Sequence, residues 1–270
     1  MDVNKIYNEN CFDTMKRMLL DNQTVDIILT SPPYCTPNDD ASKYTENRFN
    51  NYQVHYDVFT GFNSAEEYRS WSVELFKLYE KILSKNGVVI YNISYTSKTP
   101  DLVYLVLADI INNTNFMCAD CISWKKNNAL PQNMNKNRLT RVCEFVFIFC
   151  RKTEANTFKC NKVKSGTKYK NLHYNYIEAP NNDILDLDIN KLNSATFSTT
   201  LVEKLLDIYA KSGDIVYDSF MGTGTTAVAS LRHGCVYIGS ELSKEQCEFA
   251  NKRINCGITS LKKPKQKKLF

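Results

Sequence analysis

The sequence predicts an α/β fold in which a mostly parallel sheet carries helices on both faces. Three observations predict it. Short β-branched runs alternate along the chain with segments whose apolar residues recur at helical spacing. Two of the strand-like runs end in turns suited to ligands, Thr30-Ser31-Pro32-Pro33-Tyr34 and Asp218-Ser219-Phe220-Met221-Gly222-Thr223-Gly224. The 270 residues, 43% hydrophobic and 12% aromatic with only 9 Gly and 7 Pro, can build a sizeable core. That composition excludes disordered, collagen-like and low-complexity classes. No apolar stretch reaches roughly 18 residues. The opening Met1-Asp2-Val3-Asn4-Lys5 has no apolar leader. A cytoplasmic protein without a membrane span is therefore expected.

The elements follow in order. Residues 25–29 form a buried strand that runs into the proline turn. Residues 37–62 are polar and aromatic without period and form a long loop. Ser64 then opens a helix, Glu67 completes a capping box, and Tyr68, Trp71, Leu75, Leu78, Tyr79 and Ile82 keep helical spacing until Gly87 ends it. A strand over 88–93, a helix near 101–111 and strands near 116–124 and 143–150 come next. Periodicity fails over 125–141 and again over 151–192, which predicts an insertion or small subdomain outside the core. Regular structure resumes with a helix near 199–211, a strand at 215–218, a glycine turn, a helix near 225–232 and a strand at 236–239. Ser243 with Gln246 caps a last helix to about residue 254.

Ten cysteines invite a disulfide framework, but the length and the absent leader place them in a reducing compartment as small apolar residues. Cys118 and Cys121 make one C-x-x-C, yet no second such pair follows and only His55, His173 and His233 exist. A metal is not expected. Net charge is +5, but the window 125–170 alone holds 12 Lys and Arg against Glu144 and Glu154, or +10. A polyanion partner, nucleic acid above all, fits such a block, and a solvated lysine-rich face is the plain alternative.

Two motifs bear chemistry. The loop 218–226 sits between a strand and a helix, where glycines admit close backbone approach and the helix start offers free N–H groups. It lacks the Lys-Ser/Thr of a phosphate loop and the third glycine of the dinucleotide fingerprint. Glu241, 19 residues past Gly222 and just after the next strand, suits both hydroxyls of a ribose. Loop and carboxylate together favour an adenosine-containing ligand. In the proline turn, Pro32 and Pro33 remove two backbone donors, so carbonyls are left as acceptors. Ser31 adds a hydroxyl and Tyr34 a flat face, a set suited to a planar group with an exocyclic NH₂.

Ser-Pro-Pro-Tyr early and Asp-Ser-Phe-Met-Gly-Thr-Gly-Thr-Thr late, in that order and with the basic block between them, resemble the β-class amino-methyltransferases of DNA. The resemblance covers residue 6 to about residue 254. It implies a Rossmann-like fold, S-adenosylmethionine as cofactor with S-adenosylhomocysteine as product, and no metal. It also implies a catalytic half at 1–124, a target-recognition insertion at 125–192 (the strand near 143–150 belonging to the core sheet), a cofactor half at 193–258 and a basic tail at 259–270. Ser31, Pro32, Pro33 and Tyr34 would hold a flipped base. Asn10, Cys11, Thr30, Phe197, Ser198, Asp218, Phe220, Gly222, Gly224, Thr225, Glu241 and Leu242 would form the cofactor site. Asn10 stands where the family usually has an acidic residue, and the proline the family tends to place before the helix at Thr199 is absent from Ala195-Thr196-Phe197-Ser198. Lys125, Lys126, Asn133, Arg138 and Arg141 would contact DNA. The activity implied is methylation of cytosine N4, with adenine N6 as the alternative. A catalytically idle DNA-binding relative and an RNA methyltransferase stand behind both. Expected partners are double-stranded DNA, a second copy of the chain and a cognate restriction endonuclease, in a restriction–modification or host or viral modification setting, with no membrane.

Overall fold

The computed structural model describes residues 1–33, 35, 62–94, 99–127, 139, 141–165, 168–170, 173–181 and 198–260. Tyr34, Asn133, Arg138, Phe197, most of the loop 37–62 and the tail from 261 lie outside the described residues.

Strands β1 (Lys5–Tyr7), β2 (Val25–Thr30), β3 (Leu83–Ile93), β4 (Phe116–Lys126), β5 (Cys143–Arg151), β8 (Tyr176–Ala179), β9 (Ile215–Asp218) and β10 (Val236–Ser240) form one sheet in the order β1-β10-β9-β2-β3-β5-β4-β8. Pairing is parallel from β1 through to β3, antiparallel on both sides of β5, and parallel again between β4 and β8. β6 (Val163–Ser165) and β7 (Lys168–Lys170) make a separate two-stranded sheet.

The period of two along each strand sends alternate side chains to opposite faces. Ile28, Val89, Tyr91, Phe147, Phe149 and Tyr217 meet helices α1 (Cys11–Leu20), α2 (Ala65–Ile82) and α3 (Leu102–Asn113) on one face. Ile27, Leu29, Val88, Ile90, Val146, Ile148 and Val216 meet α4 (Thr199–Tyr209) on the other. Ile6 and Tyr237 extend that second face against α5 (Thr225–Arg232) and α6 (Lys244–Ser260). Each fully buried Val, Ile, Leu or Phe adds about 1.5–3 kcal/mol. The sheet with helices on both faces is the architecture the sequence predicts.

Three expectations are corrected. Gly87 does not end α2, which stops at Ile82. Asn86 takes the left-handed conformation (φ 61°), and Gly87 lies within β3, where an added Cβ would stand 2.8 Å from the Asp26 carbonyl oxygen. The region 151–192 is not wholly outside the core. β8 extends the main sheet, Ile177 and Ala179 are buried, and the Trp124 indole N–H donates to the Ala179 carbonyl (3.2 Å). The capping box at Ser64 is displaced by one residue. Ser64 Oγ accepts from Glu67 N (3.1 Å), but the Glu67 carboxylate takes the Asn63 amide (2.8 Å).

Candidate active site

From β9 the chain passes through α5 to β10 on one side, whereas from β2 it passes through α2 to β3 on the other. The carboxyl ends of β9 and β2 therefore flank a topological switch point, where an open α/β sheet leaves a crevice for ligands. Both motifs open into it: the proline turn leaves β2 at Thr30, and the glycine loop leaves β9 at Asp218.

Asp218 is 1% exposed and fully engaged. Its Oδ1 accepts from Thr30 Oγ1 (2.7 Å) and Phe220 N (3.0 Å), and its Oδ2 from Thr226 Oγ1 (2.5 Å). Burial pushes its carboxyl up to about 6, against the pull of these donors. Below it, the Tyr79 hydroxyl bonds Ser219 Oγ (2.7 Å) and the Tyr217 hydroxyl bonds Ser240 Oγ (2.8 Å). Burial raises both phenols well above their ordinary value, so they stay neutral.

The glycine loop is shaped by its backbone. Gly222 (φ 52°) and Gly224 (φ 84°) occupy the left-handed region, and a Cβ on Gly224 would lie 2.9 Å from the Ala250 Cβ. Gly224 is also the N-cap of α5 and makes no side-chain cap bond there. Glu241 reaches back to this loop. Its Oε2 accepts from Gly222 N (2.8 Å), its Oε1 from Ser243 N (2.9 Å), and Asn8 Nδ2 holds the Glu241 and Leu242 carbonyls (2.9 and 2.8 Å). The carboxylate is thus fixed in orientation beside the glycine loop. Leu242 is 40% exposed beside it.

The remaining sequence-predicted residues divide. Ser31 and Pro33 are half-buried at the turn, and Pro32 is buried. Asn10 lies at the crevice end of β1 but uses its side-chain oxygen to cap α1 through Phe12 N (2.9 Å). Cys11 is buried and its thiol is pushed up to about 12, which keeps it out of thiolate chemistry. Ser198 caps α4 through Leu201 N (3.3 Å) and is fully buried. Thr30 and Thr225 are buried as well.

Sequence reading missed three features. Asn8 clamps the 241–242 backbone, and nothing near it signals this. Arg253 on α6 donates to the Thr223 carbonyl, Thr225 Oγ1 and Thr199 Oγ1 (3.1, 2.9 and 2.8 Å), tying the starts of α4 and α5 together. Trp71 on α2 faces Phe220 (centroids 5.7 Å) with Phe62, Tyr68 and Phe12 around it, an aromatic wall beside the glycine loop. Helical spacing alone does not distinguish Trp71 from the other apolar positions of α2.

The basic block is partly spent on structure. Lys125 pairs with Glu178 (2.8 Å) and Lys126 with Glu144 (2.5 Å) while lying over the Trp124 ring. Arg151 donates to the carbonyls of Glu80, Leu83 and Ser84, closing the end of α2. Lys159 joins Asp26 (3.2 Å) and Asp214 (2.6 Å). Counting charges along the window could not see Asp26, Glu178 or Asp214, which come from elsewhere in the chain. All ten cysteines are free thiols; burial pushes Cys118 up to about 11 and raises Cys121 too. Among the described residues no cluster of His, Cys, Asp and Glu could hold a metal ion, and no helix is long and apolar enough to cross a membrane.

A carboxylate fixed against the glycine loop, an exposed apolar neighbour, two left-handed glycines and a helix start capped by a glycine fit an adenosine-containing ligand. Comparison with known proteins agrees. The profile of a family described as DNA methylase, covering N6 and N4 methyltransferases, matches residues 25–252. The type II methyltransferase M.HinfI of Haemophilus influenzae is 24% identical over 93% of this chain and 68% of its own length. The crystal structure of an M1.HpyAVI–SAM complex has 25% identity and a TM-score of 0.62, over 92% of this chain and 98% of that one. The cytosine-N4-specific PvuII DNA methyltransferase shares the fold, with a TM-score of 0.65 at 19% identity over 97% and 93% of the two chains.

Proposed function

The chain belongs to the DNA methylase family of N6 and N4 methyltransferases, and on that premise we propose that it methylates the exocyclic amino group of a flipped base in duplex DNA, cytosine N4 first. The observation that carries this reading is the union of the two motifs. The turn that suits an amino-bearing base and the loop that suits adenosine leave adjacent parallel strands and are bridged by the Thr30–Asp218 bond (2.7 Å).

S-adenosylmethionine, when bound, supplies a methyl group already activated by its sulfonium, so neither a metal nor a covalent nucleophile is required. Glu241 would accept the ribose hydroxyls, Leu242 would cover an apolar face, and Gly222 and Gly224 would let the backbone close on the ligand. Phe220, Thr225, Ser198 and Phe197 would complete the cofactor site. On the other side, Ser31 Oγ and the Pro32 carbonyl would accept the two amino hydrogens. That grip favours a pyramidal nitrogen whose lone pair is directed rather than delocalised into the ring. Positioning then supplies much of the rate. No histidine or paired carboxylate is needed as base, because the nitrogen can shed its proton after it becomes cationic. Extrusion of the base costs a few kcal/mol, which Tyr34 stacking would offset in part. The insertion, with Lys125, Lys126, Asn133, Arg138 and Arg141, would supply phosphate contacts and base-edge contacts. The name of M.HinfI, a type II methyltransferase, supports a restriction–modification setting for this reading, with a second copy and a cognate endonuclease as the partners to seek.

Nucleoside mass spectrometry of DNA treated with the protein and S-adenosylmethionine tests this. N4-methylcytosine is the expected product. N6-methyladenine would overturn the cytosine assignment, and absence of any methylated nucleoside would overturn the activity itself.

A further inference from the structure

We propose that Thr30 is a positioning residue. Through Asp218, its hydroxyl fastens the Ser31-Pro32-Pro33 turn to the cofactor loop, so that acceptor and donor are held in register across the switch-point crevice. This rests on the reading of the two turns given above.

The β2–β9 ladder is short: Ile27 pairs with Val216 and Ile28 with Tyr217. Beyond it Thr30 still pairs with Tyr91 of β3, so the turn belongs to the β3 side while the glycine loop belongs to the β10 side. The two walls of the crevice therefore part just where their relative position matters. A side-chain bridge takes over from the ladder there. Thr30 Oγ1 donates to Asp218 Oδ1 (2.7 Å), which also takes Phe220 N (3.0 Å), while Asp218 Oδ2 takes Thr226 Oγ1 of α5 (2.5 Å). Three chain segments thus meet on one carboxylate. Thr30 and Thr226 are fully buried and Asp218 is 1% exposed, so these side chains face one another rather than the crevice. Pro32 and Pro33 bring no amide hydrogen with which to fasten the turn. Valine would fill the Thr30 site equally well by shape and suits a buried strand. The hydroxyl is what valine would not supply.

The two threonines should then separate experimentally, because they hold opposite sides of the same carboxylate. Thr30→Val leaves Glu241, the glycines and Thr226 in place. It should lower kcat at saturating cofactor by roughly tenfold or more while the Kd for S-adenosylhomocysteine, read by calorimetry, moves less than about threefold. Thr30→Ser restores the hydroxyl and should restore kcat. Thr226→Val should do the reverse, weakening S-adenosylhomocysteine more than it lowers kcat. Each Val variant loses one buried hydrogen bond, so a merely structural role would make kcat and Kd move together in both, in step with the thermal midpoint. That parallel behaviour, or failure of Thr30→Ser to restore kcat, would overturn the proposal. A wild-type protein that does not bind S-adenosylhomocysteine would instead overturn the cofactor reading, and the positioning role with it.

Discussion

The two ends of the β2–β9 strand pair are built from the same residue type to opposite purposes. At the amino end, Asp26 accepts from Ile215 N (3.0 Å) and Ser84 Oγ (3.0 Å) and pairs with Lys159 (3.2 Å), which also holds Asp214 (2.6 Å). Burial raises its carboxyl, but the Ile215 amide, Lys159 and Ser84 outweigh that and leave it below its ordinary value. At the carboxyl end, Asp218 has hydroxyl and amide donors but no cation among its bonds, and burial leaves it at about 6. One end is closed by charge pairing. The other is tied by neutral hydroxyl and amide donors, so that the crevice walls are held by directed hydrogen bonds rather than by a salt bridge.

The sharpest way to break this contrast is to remove each acid's setting in turn. Asp218→Ala strands the Thr30 and Thr226 hydroxyls and the Phe220 amide in the core. A loss of about 3–5 kcal/mol in denaturant unfolding, with loss of cofactor binding, is expected. Lys159→Met should cost about 1–3 kcal/mol by uncovering Asp26 and Asp214, yet leave cofactor affinity and methylation unchanged. If the Lys159 variant lost binding instead, the division between the two ends would be wrong. Gly224→Val tests the crevice itself, because a branched residue there needs a φ of 84° and meets Ala250 at 2.9 Å. It should abolish binding of S-adenosylhomocysteine in calorimetry and cost about 1–3 kcal/mol.

A smaller effect separates the acids by pH. Asp218 titrates higher folded than unfolded, so the native state binds the extra proton between its ordinary value near 3.8 and about 6. Its cost is fully present above about 6 and is relieved as pH falls through that window. Asp26 is shifted the other way: its contribution is present above the ordinary carboxylate value and is lost as pH falls through its lowered one. Between pH 7 and pH 5, wild type should gain about 1 kcal/mol over Asp218→Asn. Its margin over Asp26→Asn should stay level there and shrink only below about pH 4. Thermal unfolding across that range reads both. Asn8→Ala, which frees the Glu241 and Leu242 carbonyls, should be smallest, weakening cofactor severalfold at about 1 kcal/mol.

The cofactor end of this contrast was legible in the sequence because it is local. Strand, glycine turn and helix follow one another within 215–232, and the structure places β9 and α5 over the residues expected. The amino end was not legible, because its partners lie far apart: Lys159 meets Asp26 from 133 positions away, and no periodicity announces it. β1 and β8 escaped for the same reason. β1 has three residues and pairs with β10 from the far end of the chain; β8 has four and pairs with β4. Gly87 misled because the neighbouring Asn86 took the left-handed position instead.

Photolabelling with radiolabelled S-adenosylmethionine, followed by peptide mapping, tests the central claim most directly. Label is predicted in the peptides carrying 218–224 and 241–242, with weaker label around Ser31. Label confined to peptides carrying Asp26, Ser84 or Lys159 would place the ligand at the closed end of the strands and contradict the account.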